Sequence, residues 1–390
     1  MHRTLCGTVG VLAALTLWMV CAAPALARVY TFTKVADSAK DGFNPFSFEC
    51  SSINNKGDIA FRTSRPDKTG TTLIQGVYRA TADRKNLTTI FEVGGPGHGF
   101  DFLGQNPCIN DLGEVAFAVR QISQRTFVET QSIMIGGSKT TLIADTSGDF
   151  GHFGFEPTIN NSNVVPFKAE LDNFDEGLFS SRDGRPIVQY YLSSTSPFSS
   201  SGSLSRPSIN NFGNIAFEEG VDGQTTSGIF VTNGTGFTTI AAPDPNINVD
   251  RPNINDLGTV AFHRFFNDRA GEELVTGTGG LLTVIADTAG PFASFGFYFG
   301  FVPPALNNKG QFAFLADLDA GGTGIFTGTD PVANKVIQTG DTLDGTVITS
   351  LRFCDKGLND AGQLAFQATF NDPSVPEGVR IAIFRATPAP

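Results

Sequence analysis

The chain has 390 residues and a formal net charge of −11, and it contains 44 glycines, 21 prolines and 36 phenylalanines. A net negative charge is repelled by phosphates, so the composition argues against nucleic acids and anionic membranes as partners. Charged residues make up only 17% of the chain, and the abundant glycine and proline favour short strands and tight turns over helices.

Residues 1–27 have the pattern of a secretory signal peptide. Arg3 supplies a positive charge, residues 12–20 are largely apolar, and Ala25 to Ala27 form a small-x-small cleavage site. The apolar run is too short for a transmembrane anchor, and no later stretch is long enough to span a membrane. Cys21 leaves a lipoprotein as an alternative, although the residues before it match a lipobox poorly. We predict cleavage after Ala27 and a secreted or periplasmic protein.

An octet of the form Asn-x-x-Gly-x-x-Ala-Phe, preceded by Ile or Leu, recurs along the rest of the chain. Its seven copies begin at Asn54, Asn110, Asn160, Asn210, Asn255, Asn307 and Asn359. Only the third copy departs, with Asn163 in place of the Gly and Pro166 in place of the Ala. Because the copies recur about every 50 residues, they use up residues 28–390 and leave no room for a second domain.

The octet predicts a turn that leads into a strand. Its Asn side chain can bond the backbone two residues on, and its Gly can adopt positive φ. Asn163 fits the Gly position because Asn also tolerates the left-handed conformation. Pro166 cannot donate a ladder hydrogen bond, so we predict a weakened or bulged strand at residues 164–167. The alternative interpretation of the seven Asn residues is that they bind a ligand.

Each unit adds three further runs that are typical of strands, such as Gly228 to Phe230 and Thr238 to Ala241. Four strands in each of seven units predict an all-β fold, a seven-bladed β-propeller with four-stranded antiparallel blades. The N-terminal run 29–37 resembles the third strand of other units. We therefore expect N- and C-terminal strands to close the last blade together. An open solenoid is the alternative, and it gives no reason for split termini.

The tandem octet, the Gly-Ile-Phe run that follows it and the signal peptide resemble the bacterial exported family named for its NxxGxxAF repeat, the choice-of-anchor tandem-repeat proteins. The resemblance covers essentially all of residues 28–390. It implies a repeat fold and no particular activity, because that family has none assigned. Many of its members end in an anchoring signal. This chain ends in Arg385 to Pro390 without an apolar helix, which favours a soluble exported protein.

Three cysteines follow the expected cleavage site, and export would permit one disulfide with one thiol left over. Cys50 lies four residues before the first octet and Cys354 five residues before the last. In a closed ring these units are neighbours, so the pair would lie on equivalent strands at similar height. Cys50 and Cys354 are therefore the disulfide candidate, and Cys108 the free thiol. The objection is that adjacent blades can hold the Cα atoms more than about 7 Å apart.

Three histidines remain as weak candidates for catalysis. His98 and His152 lie in corresponding loops of adjacent units, where they could form a metal site or an acid–base pair with nearby carboxylates such as Glu156. The alternative is two exposed loop histidines. His263 directly follows the fifth octet, at a position that varies among the copies. Such a position is often at the surface, and it is also where a repeat protein can acquire function.

Four acids end third strands and are weak candidates for ligand binding: Asp37, Asp145, Asp287 and Asp341. If they ringed one face they would create a negative field in which Ca²⁺ could bind. The alternative is four residues that only form turns. No metal site or other cofactor is assigned.

Function is the least determined property. The chain lacks a Walker loop, a GxSxG elbow, an HExxH motif and a CxxC motif. The first hypothesis is an exported, non-enzymatic binding or scaffold propeller with an unknown extracellular ligand or protein partner. The alternative is an extracellular or periplasmic propeller hydrolase or lyase that acts on a polymer or ester, with His98, His152 and His263 as its candidates.

Overall fold

The computed structural model describes residues 28–83, 86–94, 101–123, 125–182, 185–199, 204–296 and 303–389. The predicted signal peptide and His98 lie outside the described residues. Cleavage after Ala27 and a role for His98 therefore remain predictions.

The described residues form seven sheets, one for each octet, and we number these blades 1 to 7 in chain order. The chain enters through β1 (Tyr30–Asp37), α1 (Ser38–Asp41) and a 3-10 turn at Pro45–Ser47. Blade 1 contains β2 (Ser51–Ile53), β3 (Ile59–Pro66), β4 (Leu73–Ala80) and β5 (Leu87–Gly94). Blade 2 contains β6 (Phe102–Leu103), β7 (Cys108–Ile109), β8 (Val115–Ile122), β9 (Glu129–Gly136) and β10 (Thr141–Asp145). Blade 3 contains β11 (Phe150–Phe153), β12 (Val165–Leu171), β13 (Glu176–Ser181) and β14 (Val188–Leu192).

The remaining blades repeat this order. A 3-10 turn at Ser193–Thr195 precedes blade 4, which contains β15 (Phe198–Ser199), β16 (Ser208–Ile209), β17 (Ile215–Val221), β18 (Ser227–Thr232) and β19 (Phe237–Ala241). Blade 5 contains β20 (Ile247–Ile254), β21 (Val260–Phe266), β22 (Glu272–Gly277) and β23 (Thr283–Asp287). Blade 6 contains β24 (Phe292–Ser294), β25 (Ala305–Leu306), β26 (Phe312–Leu318), β27 (Thr323–Phe326) and β28 (Lys335–Gln338). Blade 7 contains β29 (Thr342–Leu343), β30 (Thr346–Leu358), β31 (Leu364–Asn371), β32 (Val379–Pro388) and, from the N-terminus, β1.

Both ends of the chain close the ring. Strand β1 pairs antiparallel with β32, from Tyr30 opposite Pro388 to Asp37 opposite Ala382. The predicted seven-bladed propeller with a last blade built from both termini is confirmed. The N-terminal segment supplies one strand to blade 7, and its next strand, β2, is already the first strand of blade 1.

All seven octets form the predicted turn. In each, the Asn side-chain oxygen accepts hydrogen bonds from the backbone N–H groups two and four residues on, at 2.9–3.1 Å. The fourth residue has positive φ in every copy, for example 85° at Gly213 and 60° at Asn163. Turn formation therefore explains both the Asn and the Gly position of the octet.

Pro166 affects only one side of its strand. In blades 1 and 2 the octet Ala pairs with the strand before the turn, as in Ser52 opposite Ala60 and Cys108 opposite Ala116. In the described part of blade 3 the equivalent residue, Thr158, lies outside any strand and does not pair with Pro166. The reason is that proline has no N–H to donate. On the other side Pro166 lies opposite Ser180 in unbroken register. Of the two predicted outcomes, a weakened or a bulged strand, the structure shows the weakened pairing without a bulge.

The Gly-x-Phe runs have a steric origin. In blade 4 a Cβ on Gly228 would lie 2.9 Å from the ring of Phe230, and in blade 6 a Cβ on Gly324 would lie 2.6 Å from the ring of Phe326. The ring folds back over the glycine two residues earlier on the same face of the strand. Such packing at native density leaves no room for a side chain at the glycine.

The apolar core lies between the blades. The described residues contain seven buried clusters, and each joins two neighbouring blades, including blades 7 and 1. For example, Tyr191 of blade 3 packs on Phe198 and Phe217 of blade 4, with ring centroids 4.8 and 5.4 Å apart. Burial of each such side chain contributes about 1.5–3 kcal/mol. No helix in the described residues is long and apolar enough to cross a membrane.

Candidate functional site

The octet turns meet at one mouth of the central channel, where they form a closed ring of hydrogen bonds. The side-chain amide of each octet Asn donates to the main-chain carbonyl of the Asn in the next blade, at 2.9–3.1 Å, and Asn359 returns the ring to Asn54. The side-chain oxygens of these Asn residues accept hydrogen bonds within the turns, and their amides donate to the ring. These Asn residues are therefore structural. The alternative that they bind a ligand is not favoured.

A second ring involves the next residue of each octet. These residues are Asn55, Asp111, Asn161, Asn211, Asp256, Asn308 and Asp360. The backbone N–H of each donates to the side-chain oxygen of the next at 2.7–2.9 Å. No two Asp residues are neighbours, so every carboxylate has amide groups on both sides. Asp111, for instance, accepts from the amides of Asn55 and Asn161.

Deeper in the channel a polar network joins blades 4, 5 and 7. The cavity inside the octet rings has a volume of only about 130 Å³. At its floor the Lys356 ammonium donates to Ser208 at 2.9 Å and to Asn253 at 2.6 Å. Beyond it, Arg206 of blade 4 forms a buried ion pair with Asp355 of blade 7 across the channel. Burial lowers the pKa of Lys356, although the adjacent Asp355 opposes the shift. These side chains of blades 4, 5 and 7 therefore meet across the channel beneath the octet mouth.

Further charged side chains gather around this ion pair. Glu156, Asp250 and Arg251 lie four or five residues before their octets, and Glu218 directly follows its own octet. The Arg251 guanidinium donates to Glu156 at 2.9 Å and lies 3.7 Å from Asp250. Asn106 donates to the other oxygen of Glu156 at 2.7 Å. The backbone N–H of Arg251 also donates to Glu218. Arg251 thus joins carboxylates from blades 3, 4 and 5, and we call Glu156, Glu218, Asp250 and Arg251 the charged cluster.

Burial raises the pKa of two carboxyls of the charged cluster. Burial, followed by the negative charge of Glu218, raises the pKa of Asp250 to about 7, against the opposing effect of Arg251. Burial likewise raises the pKa of Glu218, with Lys168 opposing. Three carboxyls lie around Arg251, and its guanidinium contacts only Glu156 and Asp250. Such a group favours either a retained proton or a bound positive charge. The Arg251 side chain remains 35% exposed, and its φ of 36° is strained for a residue other than glycine.

The two described histidines lie apart, His152 in blade 3 and His263 in blade 5. His263 is fully buried in blade 5, where its Nε2 lies 3.1 Å from Glu272, so the expectation of a surface position is wrong there. His152 is exposed on β11, and its Nδ1 lies 2.8 Å from the amide of Gln131. The His263 ring also lies near the ring of Phe295, with centroids 6.4 Å apart. A substrate could not reach a fully buried ring.

The four acids at the strand ends do not form a ring around a cation. Asp37 is buried and pairs with Lys34 at 2.8 Å and Arg380 at 3.2 Å. Asp145 and Asp287 accept backbone hydrogen bonds within their own turns, and Asp341 does so while it contacts Lys335. The turn-forming interpretation is confirmed for these three. Within the described part of the chain, no group of three His, Cys, Asp or Glu residues could hold a metal ion.

The cysteines lie where a closed ring would place them. Cys50 and Cys354 are positioned as a disulfide, with Cα atoms 5.8 Å apart, and Cys108 is buried with a free thiol. Around the pair, Glu49 contacts both Arg62 of blade 1 and Arg352 of blade 7. Blades 1 and 7 are therefore joined by this cysteine pair and by the ion pairs of Glu49.

The charged cluster was missed by sequence reasoning, although a signal was present. When the seven units are aligned on their octets, the position four residues before the Asn carries Glu156, Arg206, Arg251 and Asp355. Charged residues at one fixed position of a strand that leads to a channel indicate a shared polar layer. Glu218 directly follows its octet, as His263 does, so that variable position contributes to the charged cluster from blade 4.

One protein family matches nearly all of the folded chain. It is a family of unknown function, DUF7453, and it matches residues 53–388. The chain belongs to this family. DUF7453 carries no assigned activity, and the resemblance to the choice-of-anchor tandem-repeat proteins receives no separate support. A search of curated proteins finds no significant sequence match.

Solved structures share the fold of this DUF7453 protein at low sequence identity. A GH74 xyloglucanase from Xanthomonas campestris is 12% identical, with a TM-score of 0.50, over 90% of this chain and 55% of that one. An acylaminoacyl peptidase from Pyrococcus horikoshii is 7% identical, with a TM-score of 0.51, over 83% and 49%. Prolyl oligopeptidase B from Galerina marginata is 10% identical, with a TM-score of 0.51, over 86% and 50%. The chain spans about half the length of these enzymes, and the likeness concerns the propeller alone.

Proposed function

We propose that this DUF7453 protein is an exported, non-enzymatic binding propeller that takes its ligand at the charged cluster. One observation carries the proposal: Arg251, partly open to solvent, joins three carboxylates from three blades beside the channel. Propellers commonly bind where inner strands and loops converge on the channel. The octet mouth is unsuited to this role because its polar groups are used in the two hydrogen-bonded rings.

Binding can be tested with residues 28–390 on glycan and peptide arrays. We expect ligands that bind the unaltered protein to be lost in Arg251→Gln. Arg269→Gln is the matched control, because Arg269 is an exposed arginine of the same blade. Ligands retained by Arg251→Gln would contradict the assignment of the site, and so would an array without any bound ligand.

A propeller hydrolase or lyase is the second candidate, and Asp250 is the observation that favours it. A carboxyl with a pKa of about 7 can act as a general acid or base near neutral pH. On this hypothesis Asp250 replaces the histidines as the catalytic candidate. Turnover of ester or polysaccharide substrates that disappears in Asp250→Asn would support it and would overturn the non-enzymatic proposal.

Export is part of the proposal and rests on the signal-peptide pattern of residues 1–27. We expect expression of the full chain in a bacterium to yield periplasmic or secreted protein that begins at Arg28. Mass spectrometry of the intact protein gives the N-terminus directly. A cytoplasmic protein that retains residues 1–27 would contradict export, and a lipid on Cys21 would favour the lipoprotein alternative.

A further inference from the structure

A crevice opens at the rim between blades 2 and 3, away from the channel. Its volume is about 550 Å³, within the range of small-molecule pockets. Strand β10 of blade 2 lines one side with Leu142. Phe150, Phe179 and Ile187 of blade 3 line the other. Leu142 and Ile187 are 44% and 40% exposed, so apolar surface faces solvent there.

The side chains at equivalent strand positions explain why the interface of blades 2 and 3 is open while the interface of blades 3 and 4 is filled. At the interface of blades 3 and 4, Tyr191 lies against Phe198 and Phe237, with centroids 4.8 and 6.2 Å apart. Tyr191 pairs with Leu178, as Ala144 of blade 2 pairs with Ile133 at the same point of its own sheet.

Ile187 stands next to β14 where Phe237 begins the equivalent strand of blade 4. Two aromatic side chains at one interface are thus replaced by Ala144 and Ile187 at the other. The missing aromatic volume leaves the crevice.

The lining of the crevice has a single sign of charge. Asp145 and Asp149 lie at one end, and no described lining residue is basic. A carboxylate end repels anions and attracts cations. Phe150 and Phe179 are only 9% and 3% exposed, so the accessible apolar walls are those of Leu142 and Ile187. The apolar walls favour a ligand that also carries a hydrocarbon body.

We propose that this crevice binds an amphipathic organic cation, with its apolar body between Leu142 and Ile187 and its charged end at Asp145 and Asp149. The site lies outside the charged cluster and is independent of the function proposed for the channel. Its ligand chemistry follows from the lining alone.

The test uses residues 28–390 and benzyltrimethylammonium as the probe, measured by ligand-observed NMR and calorimetry. We expect saturable binding with a Kd on the order of 1 mM or tighter, as for a small ligand in a partly open pocket. Phenylmethanesulfonate has a similar shape and the opposite charge and should not bind. If the anion or the neutral tert-butylbenzene binds as well as the cation, or if the cation does not bind, the proposal is overturned.

Variants locate the site. Ala144→Tyr copies the aromatic residue of the neighbouring interface and should fill the crevice, so we expect binding to weaken at least about tenfold. The double variant Asp145→Asn/Asp149→Asn should weaken binding of the cation several-fold and leave the melting temperature near that of the unaltered protein. Asp287→Asn, at the equivalent strand end of blade 5, is the matched control and should bind normally. Unchanged binding in Ala144→Tyr or in the double variant would place the probe elsewhere and overturn the proposal.

Discussion

The pKa of Asp250 depends on the groups that surround its side chain. Asp250 lies near Arg251 at 3.7 Å, yet burial and Glu218 dominate and raise its pKa to about 7. The folded state therefore binds this proton more tightly than the unfolded chain, in which the pKa is about 3.9. Its contribution to stability is complete below that value and is lost as the pH rises towards 7.

We predict that Asp250→Asn raises the free energy of unfolding at pH 8 relative to the unaltered protein, and that the gain vanishes near pH 4. The upper limit is about 4 kcal/mol, from about 1.4 kcal/mol per pKa unit, and solvent contact will reduce it. Urea unfolding at several pH values measures the difference. The exposed Asp268→Asn is the control and should follow the unaltered protein. Parallel pH profiles for Asp250→Asn and the unaltered protein would show that Asp250 is already ionised at low pH.

At the scale of elements, the octet turn depends on one left-handed residue. A Cβ on Gly213 would meet no atom within 4 Å, so substitution there measures only the backbone cost at φ 85°. We predict that Gly213→Ala lowers the free energy of unfolding by about 1–2 kcal/mol. Gly236 also has open space and lacks a left-handed φ, so Gly236→Ala should be neutral or slightly stabilising. Equal effects in the two variants, measured by denaturant unfolding, would contradict a strained turn.

The third octet shows how far local rules extend. The sequence correctly predicted Asn163 in the left-handed conformation and the loss of pairing beside Pro166. The weakened strand has no bulge because β12 keeps its register through its other neighbour, with Pro166 opposite Ser180. A proline removes one donor on one side of a strand. Whether the strand also bends depends on the adjacent strand, which local sequence does not reveal.

At the scale of the molecule, the closure of the ring can be broken at the rim. Deletion of residues 28–37 removes β1 and exposes the edge of β32, which invites pairing with another chain. We predict a lower melting temperature and dimers or aggregates in size-exclusion chromatography. Deletion of residues 389–390 is the control and should leave a monodisperse protein with an unchanged melting temperature. A variant without β1 that behaves like the control would show that closure contributes little.

The closure is also covalent if the two cysteines are oxidised. Cys50 and Cys354 are 304 residues apart in sequence and 5.8 Å apart at Cα. The chain-entropy model gives up to about 5 kcal/mol for a loop of this length, and often less in practice. We predict a Cys50–Cys354 peptide in a non-reducing map of the exported protein, and lower stability for Cys50→Ser/Cys354→Ser. Cys108 should react with thiol reagents only after unfolding. A peptide that contains Cys108 in a disulfide would contradict the pairing.

Seven octets at regular spacing determined the number of blades, the turn and the joint use of both termini. These features follow from residues close together in the chain, such as Asn54 and Gly57, and from the rule that a repeat buries its apolar face on its neighbours. The tertiary structure alone decided where function could reside. The charged cluster joins Glu156, Glu218 and Arg251 from three blades, and the Arg206–Asp355 pair crosses the channel between residues 149 positions apart. The rim crevice depends on which side chains of blades 2 and 3 face each other. Such contacts arise only when the ring closes, because local sequence sets the form of each blade and the neighbouring blades set its surroundings.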